Sequence, residues 1–128
     1  MKKIEVVAAI IKNKNKIFVT RRGYGDFENM WEFPGGKMEI GETREEALIR
    51  EIKEELELDI DISKHLTTVD YDYPTFHLTM HCFICTICGG QLQLNAHNDA
   101  KWTTLGELDN LHWVPADILV IEKLKELY

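Results

Sequence analysis

The order of apolar and polar positions predicts a series of β-strands interrupted by two helices. Apolar residues dominate positions 4–11, a polar stretch of lysine and asparagine follows, and apolar residues return at 17–20. Two apolar runs joined by a short polar turn predict a β-hairpin. Further strands are predicted over residues 66–72, 76–88, 91–94 and 101–103.

The first helix is predicted to begin just after Thr43. Thr43 is a favourable N-cap residue, and Glu46, three positions later, completes a capping box. Apolar residues then recur at helical spacing, which predicts one buried face formed by Ala47, Leu48, Ile52 and Leu56.

The second helix is predicted from about Pro115, a residue favoured in a first helical turn, to about Leu127. Ile118, Ile121 and either Leu124 or Lys125 would then lie along one side. No linker or repeat divides the chain, so residues 1–128 are predicted to form one domain. Strands interleaved with two long helices predict an α/β fold with a mixed sheet and helices on both faces.

Composition and charge narrow the class of protein. The chain has 128 residues, of which 45% are hydrophobic and 29% charged, as in a soluble globular domain. Its net charge of −7 argues against a nucleic-acid polymer as partner. The same charge would repel a free nucleotide, so a phosphate substrate would need a metal ion or a local basic patch.

No segment predicts a membrane partner or an export signal. None approaches the ~20 apolar residues needed to cross a bilayer. Residues 1–11 begin as a signal peptide would, but Glu5 interrupts the apolar run and no small-residue cleavage site follows. We therefore expect a first strand there and a cytoplasmic protein.

Three cysteines are spaced as in some zinc or iron–sulfur sites: Cys82, Cys85 and Cys88. They lie within the strand predicted at 76–88, where side chains alternate between faces. Cys85 would point away from the other two, so the three thiols cannot converge on one ion. Buried free thiols are the prediction.

Three carboxylates share one face of the first helix, because Glu51, Glu54 and Glu55 are three and four residues apart. One interpretation is a solvated face with salt bridges to Arg44, Arg50 and Lys53. The other is a hard-oxygen site for magnesium, placed beside the glycine-rich turn at residues 34–36. The helix alone does not decide between them.

A longer sequence pattern favours the magnesium site over the solvated face. From Gly36 the chain reads GKMEIGETREEALIREIKEELEL, which resembles the Nudix box: Gly, five residues, Glu, seven residues, then Arg-Glu-apolar-x-Glu-Glu-x-Gly-apolar. Glu57 is the one departure, since the box has glycine there. A non-glycine residue just past a helix end costs on the order of 1 kcal/mol if its backbone is left-handed. The matching positions are Gly36, Glu42, Arg50, Glu51, Ile52, Glu54, Glu55 and Leu58.

The resemblance extends over nearly the whole chain. It is similar to the MutT-type nucleoside triphosphate pyrophosphohydrolases of the Nudix family, and most similar to the members that act on CTP. The resemblance implies an α/β/α sandwich in which the box forms a loop–helix–loop. The segments that carry it outside the box are Arg21-Arg22, WEFPGGK at 31–37, Trp102 and Pro115-Ala116-Asp117.

The resemblance also implies a reaction. A nucleoside triphosphate would be hydrolysed to a monophosphate and pyrophosphate with Mg²⁺, or with Mn²⁺ as a substitute. The substrate would be CTP, dCTP or an oxidised nucleotide such as 8-oxo-dGTP. The protein would act on this small molecule as a monomer or a homodimer.

Roles for individual residues follow from the same resemblance. Magnesium would be held by Glu51, Glu54, Glu55 and the carbonyl group of Gly35. A salt bridge between Glu42 and Arg50 would support these acids.

The substrate would contact a second group of residues. Arg22 and Lys37 would face the phosphates, and Asp117 would recognise the nucleobase. Tyr73 and Leu78 would form pocket walls, unless they belong to the core.

The general base is assigned to Glu51, with Asp99 or a purely metal-activated water as the alternatives. Related proteins often have an acid in the loop before Trp102, and Asn98 is expected at that place here.

Two other functions stay open at this stage. Pro74 lies near a position where ADP-ribose pyrophosphatases have a proline, so ADP-ribose or another dinucleotide is an alternative substrate. A non-catalytic nucleotide sensor on the same fold is the other, although a sensor has no need for three like charges on one face.

Overall fold

The computed structural model describes all 128 residues and contains seven strands and two α-helices. A short 3₁₀ helix, Leu105–Asn110, was not predicted and precedes the second α-helix. The elements in chain order are β1 (Lys2–Asn13), β2 (Lys16–Arg22), β3 (Trp31–Glu32), β4 (Gly35–Lys37), α1 (Arg44–Leu56), β5 (Leu58–Tyr73), β6 (Phe76–Gly90), β7 (His97–Thr104) and α2 (Pro115–Leu127).

The strands form one mixed sheet with the order β3-β2-β1-β6-β5. β1 and β6 pair in parallel, whereas β5 pairs with β6, and β2 with β1, in antiparallel fashion. β4 adds to β1 and β7 adds to β2, both antiparallel. The predicted hairpin is therefore present as β1 and β2.

The sheet separates two hydrophobic cores. Leu48 and Ile52 of α1 pack on one face, together with Val7 and Phe83 of the sheet. The other face carries α2 and is packed by Ile10, Val19, Cys82, Val120 and Leu124, among others. This confirms the predicted α/β/α arrangement with helices on both faces.

Helix α1 begins and is buried as its sequence predicts. The hydroxyl group of Thr43 accepts a hydrogen bond from the backbone N–H of Glu46 (3.1 Å), and the Glu46 carboxylate accepts one from the N–H of Thr43 (2.9 Å). The four apolar residues predicted to face the core all have no exposed surface. The helix ends at Leu56, and Glu57 adopts the left-handed conformation with φ 56°.

The strand predicted at residues 91–94 is absent. This segment instead passes the end of α1, where the N–H of Gln93 donates to the carbonyl of Leu56 (2.9 Å) and that of Asn95 to the carbonyl of Glu55 (3.0 Å). The last carbonyls of a helix have no partner within the helix, so these two bonds satisfy them. The segment therefore caps α1 rather than joining the sheet.

The buried face of α2 differs from the prediction by part of a turn. Ile118 is 46% exposed, whereas the face centred on Val120 and Leu124 is buried. Ala116, one turn before Val120, is fully buried and allows close approach to the sheet. Neither α-helix has the length and apolar character required to cross a bilayer.

The cysteines are divided between the two faces of the sheet. Cys82 is buried in the core beneath α2 and Cys85 in the core beneath α1, while Cys88 is exposed. All three are free thiols. Cys82 and Cys85 therefore lie on opposite faces, as the strand predicts, whereas the predicted burial is wrong for Cys88, near the end of β6.

Candidate active site

A cleft of about 560 Å³ opens between the sheet, the start of β4 and the inner face of α1. Most of the residues singled out from the sequence line it. Glu42, Arg50 and Glu54 lie beside it instead. Those that line it are Arg22, Gly35, Lys37, Glu51, Glu55, Tyr73, Leu78 and Asp117.

Strand register brings three polar side chains together at one end of this cleft. Arg22, the last residue of β2, is opposite His97 of β7, and Thr20, two residues earlier on β2, is opposite Glu32 of β3. Arg22, His97 and Glu32 all line the cleft. Neither Glu32 nor His97 was predicted as a site residue.

The Arg50 guanidinium is the centre of the network beside the cleft. Its Nε and Nη2 donate to the two carboxylate oxygens of Glu42 at 2.6 and 2.9 Å, so the ion pair expected from the sequence is present and bidentate. Nη1 donates to Glu51 at 2.9 Å, and Nη2 also reaches the carbonyl of Lys37 at 3.0 Å. One side chain thus ties helix α1 to the box loop and to β4.

Glu42 is held firmly in its ionised form. The hydrogen bonds from Arg50, together with one from the N–H of Glu39 (2.8 Å), lower the pKa of Glu42 to about 2. The carboxylate network raises the pKa of Arg50 further above its usual value. The pair therefore carries a fixed charge distribution over the whole working pH range.

The three acids of α1 that were predicted to bind magnesium differ in their exposure and in their position relative to the cleft. The side chain of Glu51 is 12% exposed and that of Glu55 is 23% exposed, and both line the cleft. Glu54 is 59% exposed and does not line the cleft, since its carboxylate pairs with Arg50 at 3.2 Å. The helix places two acids in the cleft and one at its edge.

Glu55 lies among like charges. Burial, followed by the negative charges of Glu51 and Glu32, raises the pKa of Glu55 to about 8. Three carboxyl groups from α1 and β3 are thus concentrated in one partly buried place. Such an arrangement is unfavourable without a cation and becomes favourable with one.

A divalent cation fits this donor set. Mg²⁺ and Mn²⁺ prefer oxygen ligands, and the cleft offers the carboxylates of Glu51 and Glu55 beside the glycine backbone of β4. Gly36 matters here because a Cβ atom at that position would overlap the Glu51 carboxyl group. Because residue 36 has no side chain, the Glu51 carboxyl group can lie directly against the β4 backbone.

Arg22 is already paired within the protein. Its Nη2 and Nε donate to the Glu32 carboxylate at 2.5 and 3.3 Å, and Nη1 donates to the carbonyl of Asp26 at 3.1 Å. Burial opposes ionisation of Glu32, but hydrogen bonds from His97 and Arg22 outweigh it and lower the pKa of Glu32. Lys37, by contrast, is exposed at the edge of the cleft.

Asp117 is buried at the base of the cleft, in the first turn of α2. One carboxyl oxygen, Oδ2, accepts a hydrogen bond from the N–H of Phe33 at 2.8 Å, and Oδ1 makes none. Burial, followed by the charge of Glu32, raises the pKa of Asp117 to about 8. Near neutral pH, Asp117 can therefore both accept and donate a hydrogen bond.

Tyr73 belongs to the core and to the cleft at once. It is 6% exposed, and its ring stacks on Phe76 with centroids 4.9 Å apart. Its hydroxyl oxygen accepts a hydrogen bond from the N–H of Ala116 at 3.1 Å, which satisfies a donor in the first turn of α2. Leu78 is half-buried and forms part of the same apolar wall.

The loop candidates for a general base lie outside the cleft. Asp99 is exposed on β7 opposite Arg21, and neither it nor Asn98 lines the cleft. Asn98 accepts a hydrogen bond from Arg21 Nε (2.7 Å) and donates one to Asn29 (2.7 Å). From this strand it is His97 that faces the acids.

Comparisons with known proteins agree with this geometry. The family model described as NUDIX domain matches residues 1–125. A protein of Escherichia coli (strain K12) named 8-oxo-dGTP diphosphatase is 35% identical over 129 residues, which cover 99% of this chain and 100% of that relative. The CTP pyrophosphohydrolase of the same organism is 33% identical over 128 residues, covering 99% of this chain and 95% of the relative. The solution structure of the E. coli ORF135 protein has a TM-score of 0.85 at 32% identity and covers 99% of this chain and 91% of that chain.

Proposed function

The chain belongs to the Nudix family of hydrolases that act on nucleotides, and we propose that it cleaves nucleoside triphosphates to a monophosphate and pyrophosphate. One observation carries the proposal. Glu51 and Glu55 of the box helix line the same cleft as Lys37 and the buried Asp117. A cation-binding group, a phosphate-binding group and a base-binding group thus share one space.

The proposed cofactor is Mg²⁺, with Mn²⁺ as a substitute. Glu51 and Glu55, which line the cleft, would hold it together with the carbonyl group of Gly35. Glu54 would join them from the edge of the cleft by giving up its ion pair with Arg50. When bound, the cation would neutralise phosphate charge and make the attacking water more acidic.

The protein side chains then have separate tasks. Glu51 takes the proton of the attacking water, and Arg50, at 2.9 Å, keeps its carboxylate in place. Lys37 faces the phosphates as a mobile point charge. Arg22 also faces the phosphates, and its partner Glu32 fixes its orientation.

Asp117 would select the nucleobase. Its unpaired Oδ1 can accept a hydrogen bond from an exocyclic amine or an N–H of the base, and the protonated acid can donate to a base carbonyl. Tyr73, Phe76 and Leu78 supply the apolar wall beside it. These features suit cytosine and oxidised guanine, in agreement with the names of the two relatives.

A substrate panel tests the proposal. We would measure kcat/KM for CTP, dCTP, 8-oxo-dGTP, dGTP and ADP-ribose in millimolar magnesium, with Asp109→Asn as a surface control for Asp117→Asn. We expect one of the first three to be preferred, and Asp117→Asn to change the ranking while the control does not. Preference for ADP-ribose would replace the substrate class, and tight binding without turnover would indicate a nucleotide sensor.

A further inference from the structure

His97 occupies a buried position between two acids that come from different elements. The first residue of β7, it is 8% exposed, and its side chain is 3% exposed. Ring Nε2 lies 3.5 Å from Oε2 of Glu32 and 3.8 Å from Oε2 of Glu55. No lysine or arginine forms an ion pair with Glu55, so His97 is the basic side chain nearest to that carboxyl group.

The surroundings of the ring decide where its proton lies. The other nitrogen, Nδ1, is buried and has no hydrogen-bond partner. A proton on Nδ1 would leave a buried donor unpaired and would turn the lone pair of Nε2 towards two carboxylates. A proton on Nε2 instead places the donor between the two acids, so the Nε2–H tautomer is favoured.

The backbone around His97 is closely packed. A Cβ atom on Gly23 would lie 3.0 Å from the carbonyl of Ala96 and 3.2 Å from the N–H of Asn98, so the backbone on both sides of His97 packs closely on the end of β2. His97 is also paired in register with Arg22, whose guanidinium donates hydrogen bonds to the Glu32 carboxylate. Glu32 is therefore held by Arg22 and lies close to His97, whereas Glu55 has only His97 within ion-pair distance.

We propose that His97 is a positioning residue: its Nε2–H, which lies between Glu32 and Glu55, orients the Glu55 carboxyl group for the cation by electrostatic attraction over 3.8 Å. The inference rests on the proposed function, since Glu55 needs to be positioned only if the cleft binds a divalent cation. His97 contacts neither cation nor nucleotide in this role and acts through Glu55.

Two amide substitutions test the role of the ring nitrogen. In His97→Gln the side-chain amide reaches the place of Nε2, whereas in His97→Asn it reaches only the place of Nδ1. Both variants remain polar, and they differ in whether an N–H donor faces the two acids. His112→Gln, at an exposed histidine, is the matched control.

The first readout is binding of Mn²⁺ alone, measured by titration calorimetry without nucleotide. We expect His97→Asn to weaken binding about 10- to 100-fold and His97→Gln to stay within about threefold of the wild type. The turnover number should follow the same order, while KM for the nucleotide changes little.

The outcomes separate this inference from the proposed function. Equal Mn²⁺ affinity in the wild type and both variants would overturn the role of His97 alone. Equal losses in the two variants, or failure of both to fold, would also overturn it, because the ring would then serve packing. A wild type that binds no Mn²⁺ and cleaves no nucleotide would overturn the proposed function instead.

Discussion

Gly36 of β4 lies directly against the carboxyl group of Glu51 on α1, so close that a Cβ atom at position 36 would overlap it. Gly36 does not have a positive φ, and its backbone conformation is open to other residues. Glycine is therefore required at position 36 because a larger residue would overlap the Glu51 carboxyl group, and not because of its backbone conformation. In this chain the first glycine of the box leaves room for the carboxyl group of Glu51, fifteen positions later.

We expect Gly36→Ala to separate activity from stability. The methyl group would displace the flexible end of Glu51, which can swing aside, so the free energy of unfolding should fall by less than about 1 kcal/mol. The displaced carboxyl group would lose its geometry, and kcat should fall about 100-fold or more. Gly106→Ala is the control, because nothing lies within 4 Å of its added Cβ. Unchanged turnover in the Gly36 variant would show that Glu51 does not act from its observed position.

Arg50→Lys tests whether the network needs a guanidinium or only a positive charge. Arg50 bonds both oxygens of Glu42 and one of Glu51 at the same time, which an ammonium group cannot reproduce in that geometry. We expect kcat to fall roughly 10- to 100-fold, with KM affected less. Arg44→Lys, on the exposed start of the same helix, should be neutral. Full activity with lysine at position 50 would mean that charge alone positions Glu51.

Substitutions of Glu57 measure the cost of a non-glycine residue in the left-handed conformation at the end of α1. Its φ of 56° and ψ of 33° are left-handed, where glycine has no steric cost. Glu57→Gly and Glu57→Ala both remove the contact between the Glu57 carboxylate and Asn95 (3.0 Å), so their difference isolates the backbone. We expect the Gly variant to be more stable than the Ala variant by about 1 kcal/mol in urea unfolding. Equal stabilities would mean that this helix end relaxes to another conformation.

Asp117→Asn should change how stability depends on pH. The pKa of Asp117 is raised to about 8 by burial and by the charge of Glu32, whereas in the unfolded chain it is about 4. Between these values the folded state binds more protons, so the wild type loses stability as pH rises from about 4 to about 8. The Asn variant lacks this loss and keeps the acceptor for the Phe33 N–H.

The difference in unfolding free energy, variant minus wild type, should therefore grow across this pH range and level off above it. Urea unfolding at a series of pH values measures it, with Asp109→Asn as the exposed control. Parallel curves for Asp117→Asn and the wild type would show that this carboxyl group ionises as it does in water.

Features that depend on residues close together in the chain could be predicted from the sequence. The capping box of Thr43 and Glu46 and the four buried residues of α1 need no information from elsewhere in the chain. The spacing of Glu42 and Arg50 likewise indicated an ion pair, which the structure contains.

What the sequence did not show depends on contacts between distant elements. Glu32 lies in a strand of only two residues, and His97 lies before the strand predicted over residues 101–103, so neither had a pattern of its own. Only the pairing of both strands with β2 brings them to Arg22. The acid following Trp31 and preceding the glycine turn was the one available signal for Glu32.

The partners that some residues contact in the fold also could not be predicted from the sequence. Helical spacing placed Glu54 and Glu55 on one face and allowed an ion pair with Arg50, but it did not decide that Glu54 forms this pair at the edge of the cleft while Glu55 lines the cleft. The apolar pattern of residues 91–94 suited a strand, although the free carbonyls at the end of α1 bind this segment instead. In both cases the sequence pattern allowed two partners, and the packing of the folded chain determined which one was taken.

In the proposed reaction, the acids of the box helix and a divalent cation together break one phosphoanhydride bond. Phosphorus NMR of a reaction with CTP and with 8-oxo-dGTP, in magnesium and again in excess chelator, identifies which bond is broken and whether the cation is required. We expect equal amounts of monophosphate and pyrophosphate in magnesium, none in chelator, and a loss of about 100-fold or more in Glu54→Gln. Release of orthophosphate and a diphosphate, or full turnover in chelator, would contradict it.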